Sequence, residues 1–315
     1  MLSSVSQQFA TMLRTAKIAP MSDNAIAKPV LRFAPSPNGY LHLGHAYSAL
    51  FNERVAREIG GRLLLRIEDI DPQRSRPEFE QAIYEDLAWL GVEWEGPVRR
   101  QSEHLSDYEL SLERLTAMGL AYPCFCTRGD VAAATDALAQ ARGSWPLDPD
   151  GSPFYPGTCK QLSDQDKERR SASGRNAAMR LDMQAALARA QDKIGWSEFF
   201  EGSESRDVNA EPSLWGDAVI ARKDVPTSYH LAVVVDDALQ GVTDVVRGMD
   251  LFNATSLHRL LQTLLDLPAP RYHHHQLIED EAGRKLSKSE GSRTLRALRA
   301  EGVSAEDVRR RLGFA

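Results

Sequence analysis

One stretch limits the possible folds of this chain more than any other. The apolar run "VLRFA", Val30 to Ala34, is cut by Pro35 and Pro37, and from Leu43 onward the apolar spacing turns helical. Proline donates no backbone hydrogen bond and cannot sit inside a sheet ladder, so the run reads as a short buried strand that ends there. A strand that leaves through a glycine-containing loop into a helix presents unpaired backbone N–H groups. Anionic ligands, phosphates above all, are favoured there by the amides and by the helix dipole. His42 and His45 lie three positions apart, on one side of the first helical turn. Either they cap and pack, or they face something negatively charged. Gly44 has no Cβ and lets a backbone or a flat ring come close. The P-loop pattern and the GxGxxG fingerprint are both absent.

The texture after this loop extends the same reading. "LGHAYSALFNERVAREI" is helical up to the stop at Gly60-Gly61, and "RLLLRIED" is a second strand. "RPEFEQAIYEDLAWLG" and "HLSDYELSLERLTAMG" are amphipathic helices. Strand, helix, strand, helix, helix opens an α/β unit with a parallel sheet. Near Ala121 the organisation changes. A cysteine pair, an alanine-rich helix (Val131 to Ala141) and the Pro/Gly-rich "GSWPLDPDGSPFYPG" loop precede "AAMRLD" and "IGWSEFF", two short strands of an inserted subdomain. α/β texture resumes with "DAVIARKDVPTSYHLAVVVDDAL", read as a strand, a hairpin-like turn and the apolar strand "YHLAVVVD", followed by the "TSLHRLLQTLLDL" helix. The expected division is a leader over 1–28, a first catalytic half over 29–120 and an α+β insertion over 121–205. A second half over 206–270 and a short helical C-terminal part over 271–315 complete it.

Three further constellations carry chemistry. "GRKLSKS" places Lys285 and Lys288 three apart in a basic loop, where movable point charges can clamp a pyrophosphate; a solvated turn is the plainer alternative. Cys124, Cys126 and Cys159 supply three soft ligands of a tetrahedral metal site, or are three buried inert thiols. With no histidine in the segment, a fourth ligand must be oxygen, water or a residue from elsewhere, and Tyr155 is the nearest unusual candidate. Charged residues at strand ends form the last group, because ligands of parallel sheets bind beyond the carboxyl ends of strands. They are Arg32, Glu68, Asp69 and Asp71, with Tyr229, Asp236, Asp237 and Arg247. His273, His274 and His275 form a run read as an exposed strand edge or the wall of a base pocket.

Composition bears on partners and compartment. The formal charge is −6, yet Arg284 to Arg311 holds nine basic residues against four acids, and Lys160 to Arg180 six against three. Such segments are solvated helical faces or a track for a polyanion. Three cysteines make no disulfide scaffold, and neither a membrane span nor a signal peptide is visible, so cytoplasm is the expected location.

"RFAPSPNGYLHLGH" followed some 240 residues later by "KLSKS" resembles the class I aminoacyl-tRNA synthetases. "RIEDIDPQRSR" and "YHLAVVVDDALQGVTDVVRGMDL" are similar to motifs of their glutamyl branch. The fold implied is a Rossmann-like parallel sheet split by a zinc-containing insertion. Only 26 residues follow Ser289, an ending that resembles the shortened, glutamyl-Q branch, which carries no anticodon-binding domain. That branch activates glutamate with ATP in the absence of tRNA. It then attaches the amino acid to the queuosine base in the anticodon loop of tRNA(Asp).

The resemblance implies roles. Arg32, Ser36, Glu68, Tyr229 and Arg247 bind glutamate, Arg32 toward the side-chain carboxylate and Glu68 toward the α-amino group. His42, Gly44, His45, Lys285 and Lys288 bind ATP, and the two histidines and two lysines are catalytic. Cys124, Cys126, Tyr155 and Cys159 hold a structural Zn²⁺, and Mg²⁺ accompanies ATP. A monomer without membrane contact is expected, with both basic segments as candidate tracks for the tRNA backbone.

Overall fold

The computed structural model describes residues 28–191, 194–200, 204–278 and 293–314. The leader expected over 1–28 (Lys28 apart) and the "GRKLSKS" motif with Lys285 and Lys288 lie outside the described residues.

All four residues of β1 (Val30–Phe33) are buried, so this strand is covered on both faces, as parallel strands are. It runs parallel to β2 (Arg62–Ile67), Val30 opposite Arg62 and Phe33 opposite Leu65, and α1 (Leu43–Glu58) makes the crossover between them. β2 pairs in turn with the two-residue β3 (Arg99–Arg100), after α2 (Pro77–Leu90). On the other side of β1 lies β9 (Asp244–Gly248), where Thr243 N–H donates to Val30 O at 2.9 Å. β9 pairs in parallel with β10 (Arg271–His275), β10 with β6 (Gly195–Phe199), and β7 (Ser205–Asn209) closes this edge antiparallel. Read across, the order is β3-β2-β1-β9-β10-β6-β7, with β1 and β9 at the meeting of its two halves.

Two findings differ from the sequence-based expectation. "IGWSEFF" does form a strand, β6, but it belongs to the parallel sheet. The insertion's own sheet is β4 (Ala121–Cys124), β5 (Ala178–Leu181) and β8 (Val219–Ala221), all antiparallel. Sheet membership therefore crosses the boundary expected at residue 205. The second difference is "YHLAVVVDDAL", which is a helix, α7 (Tyr229–Leu239), and not a strand. Leu231 to Val235 are all buried, so the helix is apolar on every side and shows no helical stripe. It packs between α3 (Leu105–Ala117) and α8 (Phe252–Leu264) in one core, which α6 (Met183–Ala190) also joins. That burial outweighs the β preference of three consecutive valines. Asp236 and Asp237 thus ride on a helix.

The other face of the sheet is covered by α1, α2 and two short C-terminal helices, α9 (Leu295–Ala300) and α10 (Ala305–Arg311). Leu295 N–H donates to Leu41 O at 2.8 Å, and Thr294 bridges His42, so the last described segment is tied to the Pro-rich loop. The insertion's remaining described helices are α4 (Arg128–Arg142) and α5 (Asp164–Ala172). The Pro/Gly-rich stretch between them carries no helix, as expected, and is held by a bridge between Leu147 and Pro153, by Phe154 N–H donating to Pro146 O at 3.0 Å and by Trp145 Nε1–H donating to Phe154 O at 2.9 Å.

Candidate active site and metal centre

His42 is the N-cap of α1. Gly44 N–H donates to His42 Nδ1 at 3.1 Å, while His42 N–H donates to His45 Nδ1 at 3.2 Å, a reciprocal capping box. Both Nδ1 atoms accept, which assigns the proton of each neutral ring to Nε2 and leaves that N–H as the donor the ring can offer. A Cβ on Gly44 would stand 3.0 Å from His42 Cε1, so a larger residue there would push the folded-over imidazole aside by a few tenths of an ångström. The two sequence alternatives are not exclusive. The histidines cap the helix, and both also line a cleft of about 560 Å³.

The same cleft is lined by Arg32 and Ser36 from β1 and its loop, Glu68 from the end of β2, Tyr229 from the start of α7 and Arg247 from β9. Every described residue expected to bind glutamate or ATP therefore faces one cavity. Of the other acids expected at strand ends, Asp69 is tied to Ser102 and Asp236 to Arg99, Gln101 and Tyr108. Neither Asp69 nor Asp236 lines the cleft.

Beneath the cleft floor lies a buried ion network. Arg32 Nε donates to Asp237 Oδ1 at 2.9 Å, and Arg66 Nη1 donates to the same oxygen at 2.8 Å. Arg66 also reaches Glu68 Oε1 at 3.3 Å. Burial pushes the Asp237 carboxyl up, but the Arg32 and Arg66 guanidiniums outweigh it and hold it below its ordinary value. At Glu68 burial wins, and its carboxyl is raised despite Arg66 and Arg32. Arg66 was missed by sequence reasoning. Its signal was available, because in a strand residues i and i+2 share a face and Arg66 precedes Glu68 by two.

Arg247 is held from four sides. Nε donates to His274 Nε2 and Nη1 to His258 Nδ1, each at 3.2 Å, while Nη2 donates to Leu251 O and Thr255 Oγ1. Because a guanidinium only donates, His258 must accept through Nδ1 and donate through Nε2 to His230 Nδ1, 3.1 Å away. Likewise His274 donates through Nδ1 to Glu198, at 3.0 Å from both oxygens. Burial, reinforced by the Arg247 charge, lowers His258 well below the ordinary range and His230 to about 4. The histidine run is thus no exposed edge. β10 is an interior strand, His274 and His275 are buried, and His275 joins Leu277 and Ile278 in the cleft wall.

A second cleft, of about 330 Å³, shares Ser36, Glu68 and Tyr229 with the first and continues to Asp71, Arg74 and Arg222. Burial pushes the Asp71 carboxyl up, but Arg222, donating at 2.9 Å, and Arg74, donating at 2.8 Å, together outweigh it and bring the carboxyl down to about 2.

In the insertion, the sulfurs of Cys124, Cys126 and Cys159 all lie within 4.8 Å of one another. Tyr155 Oη stands 3.4 Å from Cys126 Sγ and accepts from Cys159 N–H at 2.8 Å. Burial, then the neighbouring thiols, raises the Tyr155 phenol, and burial raises the Cys126 thiol to about 11. Without a cation, burial favours the neutral thiol at Cys126 and the neutral phenol at Tyr155, and a set of thiolates this close together would need a positive charge among them. The three cysteines and Tyr155 fit a thiophilic divalent cation, which stabilises thiolates.

Several of the described charges in the two basic segments are paired within the molecule. Arg299 pairs with Glu85, Arg309 with Glu53, and Arg310 with Glu306 and Asp307. Lys160 pairs with Asp182 and Asp217, Lys167 with Asp164 and Arg169 with Asp166. Glu306, Asp307, Asp164 and Asp166 belong to those segments themselves, and only Arg299, Arg309 and Lys160 of those named draw on acids outside them.

Residues 28–313 match the family model described as tRNA synthetases class I (E and Q), catalytic domain. The glutamyl-Q tRNA(Asp) synthetase of Rhodobacter capsulatus is 47% identical over 291 residues, covering 90% of this chain and 100% of that one. The protein of the same name from Symbiobacterium thermophilum is 40% identical, covering 88% and 83%. The crystal structure of glutamate-tRNA synthetase from Elizabethkingia anophelis is similar at a TM-score of 0.69 and 29% identity, covering 84% of this chain and 53% of that one. The chain spans about half the length of that solved synthetase.

Proposed function

We propose, for a chain that belongs to the class I tRNA synthetases of the glutamyl and glutaminyl branch, an ATP-dependent ligase. It activates glutamate and transfers it to tRNA(Asp), and the acceptor is the queuosine base of the anticodon loop. The observation that carries this reading is the single cleft in which Arg32, Glu68, Tyr229 and Arg247 stand beside His42, Gly44 and His45.

Arg32 presents a guanidinium to the side-chain carboxylate, and a group that only donates disfavours the N–H of glutamine. Glu68, ionised, receives the α-ammonium. The α-carboxylate is then placed beside the His42–His45 turn, where its oxygen attacks the α-phosphorus of ATP and the bond to the pyrophosphate breaks. Two anions are being joined, so the Nε2–H donors of both histidines and the N-terminus of α1 act on charge developing at the phosphoryl oxygens. Lys285 and Lys288 hold the leaving pyrophosphate. Ile278 in the cleft wall and Thr294 bridged to His42 support this role, since they lie on either side of that segment in the sequence. Mg²⁺ enters with ATP.

In the second step a hydroxyl of the acceptor attacks the acyl carbon and AMP departs. The second cleft, which shares Glu68 and Tyr229 with the first, is the space through which the acceptor reaches the adenylate. Cys124, Cys126, Tyr155 and Cys159 hold Zn²⁺, which orders the insertion and takes no part in either step.

Glutamate-dependent exchange of labelled pyrophosphate into ATP, without tRNA, tests the first step. Nuclease mapping of labelled glutamate on tRNA(Asp) tests the second. An anticodon-loop fragment supports the reading, while an acceptor-end fragment assigns ordinary 3′-end charging instead.

A further inference from the structure

Asp237 touches no part of the cleft, yet it takes the Nε–H of Arg32 at 2.9 Å with both groups nearly sealed from solvent. A guanidinium offers a carboxylate either its side edge, Nε with one Nη, or its end, Nη1 with Nη2. Asp237 consumes the side edge. The same oxygen also accepts from Arg66 Nη1 at 2.8 Å, so it cannot rotate away without stranding a fully buried charge. Arg66 in turn reaches Glu68 at 3.3 Å. One carboxylate thereby sets the direction of the residue meant for the side-chain carboxylate and, through Arg66, of the residue meant for the ammonium.

We propose that Asp237 is a positioning residue for amino-acid specificity. It turns Arg32 so that only its terminal, doubly donating edge faces the ligand, and it fixes the spacing between that edge and Glu68. The inference rests on the proposed function, which places glutamate between these two groups. Asp236, the adjacent residue, is its internal control. It is equally buried in the same network, but it is bound by Arg99, Gln101 and Tyr108, and it stands 3.8 Å from Arg66 Nε without a hydrogen bond to Arg32.

The test is pyrophosphate exchange by the full chain carrying Asp237→Asn, Asp236→Asn, Arg32→Lys or the pair Arg32→Lys with Asp237→Asn. Asp237→Asn is expected to raise KM for glutamate about 10- to 100-fold with KM for ATP unchanged, and to narrow the preference for glutamate over glutamine. The double variant is expected to fall well short of the product of the two single effects, because Asp237 acts mainly through Arg32 and only in part through Arg66. Asp236→Asn is expected to lower thermal stability without the selective change in KM. Equal effects of the two Asp variants on KM, or additive effects in the double variant, overturn the inference. Should Asp237→Asn not fold, Asp237→Glu, which keeps the charge and shifts the oxygen by a methylene, supplies the same comparison. Absence of exchange in the unmodified chain defeats the proposed function itself and is a separate outcome.

Discussion

Glu68 meets two opposed demands. Burial raises its carboxyl, yet it must be ionised to receive an ammonium group. A raised carboxyl takes up its proton at a higher pH than an ordinary one, so the empty site loses its anion as pH falls toward that raised value. KM for glutamate in pyrophosphate exchange is therefore expected to rise as pH is lowered, starting at a higher pH than an ordinary glutamate carboxylate would set. In Glu68→Gln it should be high and flat with pH. A wild-type KM as flat as that of the variant would show that Glu68 is not the ammonium partner. Arg247 is limited by geometry instead of protonation. Its donors satisfy His258, His274, Thr255 and Leu251 O, and lysine offers three rotatable donors from a single point. Arg247→Lys is expected to cost about 1–3 kcal/mol of stability for each buried acceptor left without a donor, read as a lower urea midpoint. The cleft residues were legible because each sits in a short run beside a strand end or helix start. Arg66 shares a strand face with Glu68, but Asp237 and His258 acquire their roles from partners 205 and 11 residues away, and no local pattern announces that.

At the scale of elements, the first half of the chain followed its periodicity closely, and the exceptions have physical causes. β1, β2, α1, α2 and α3 were readable because each has one kind of surroundings along its length. The helix α7 was read as a strand because every face of it is buried and periodicity is erased. Its 11 residues, and Gly241 at φ +66° just beyond its end, were the signals that favoured a helix. β6 was recognised as a strand and assigned to the wrong sheet, since a strand's own residues do not say which neighbour it finds. The metal cluster was legible as three cysteines, while the role of Tyr155 depends on a loop closing over 28 intervening residues. Its geometry leads to a prediction. Elemental analysis of the purified protein is expected to find zinc, which Cys159→Ser loses and Tyr155→Phe retains more weakly. Chelation should destabilise the insertion while pyrophosphate exchange persists, because the cluster lies outside the cleft. Loss of exchange on metal removal, with the remainder still folded, would instead tie the ion to the chemistry.

For the whole molecule, buried titratable groups of opposite sign set how stability varies with pH. His230, His258, His274 and His275 all have lowered values, burial being the largest cause at each. Folded, these groups stay neutral; unfolded, they bind protons below about 6.5. The unfolded chain then holds more protons, and stability falls as pH drops through that value, by up to about 1.4 kcal/mol per pH unit for each histidine. Asp86 works the other way. It is wholly buried under α9, with Arg299 at 3.8 Å and both oxygens without a hydrogen bond, and burial raises it to about 6. Above pH 6 the folded state carries an ionised carboxylate that the unfolded state holds in water, and this cost disappears as pH falls from about 6 to 4. The four histidines outnumber the carboxylates that burial raises, Asp86, Glu68 and Asp150, so the melting temperature is expected to fall between pH 7.5 and 5.5. His230→Gln should make that slope shallower. Asp86→Asn should stabilise on the order of 2 kcal/mol at pH 7.5 and by little at pH 4.5, a difference that thermal melts at the two pH values resolve. A melting temperature that rises on acidification would mean that the raised carboxylates outweigh the histidines, and Asp86→Asn that destabilises at pH 7.5 would mean that Arg299, 3.8 Å away, stabilises the ionised Asp86 carboxylate by more than its burial costs.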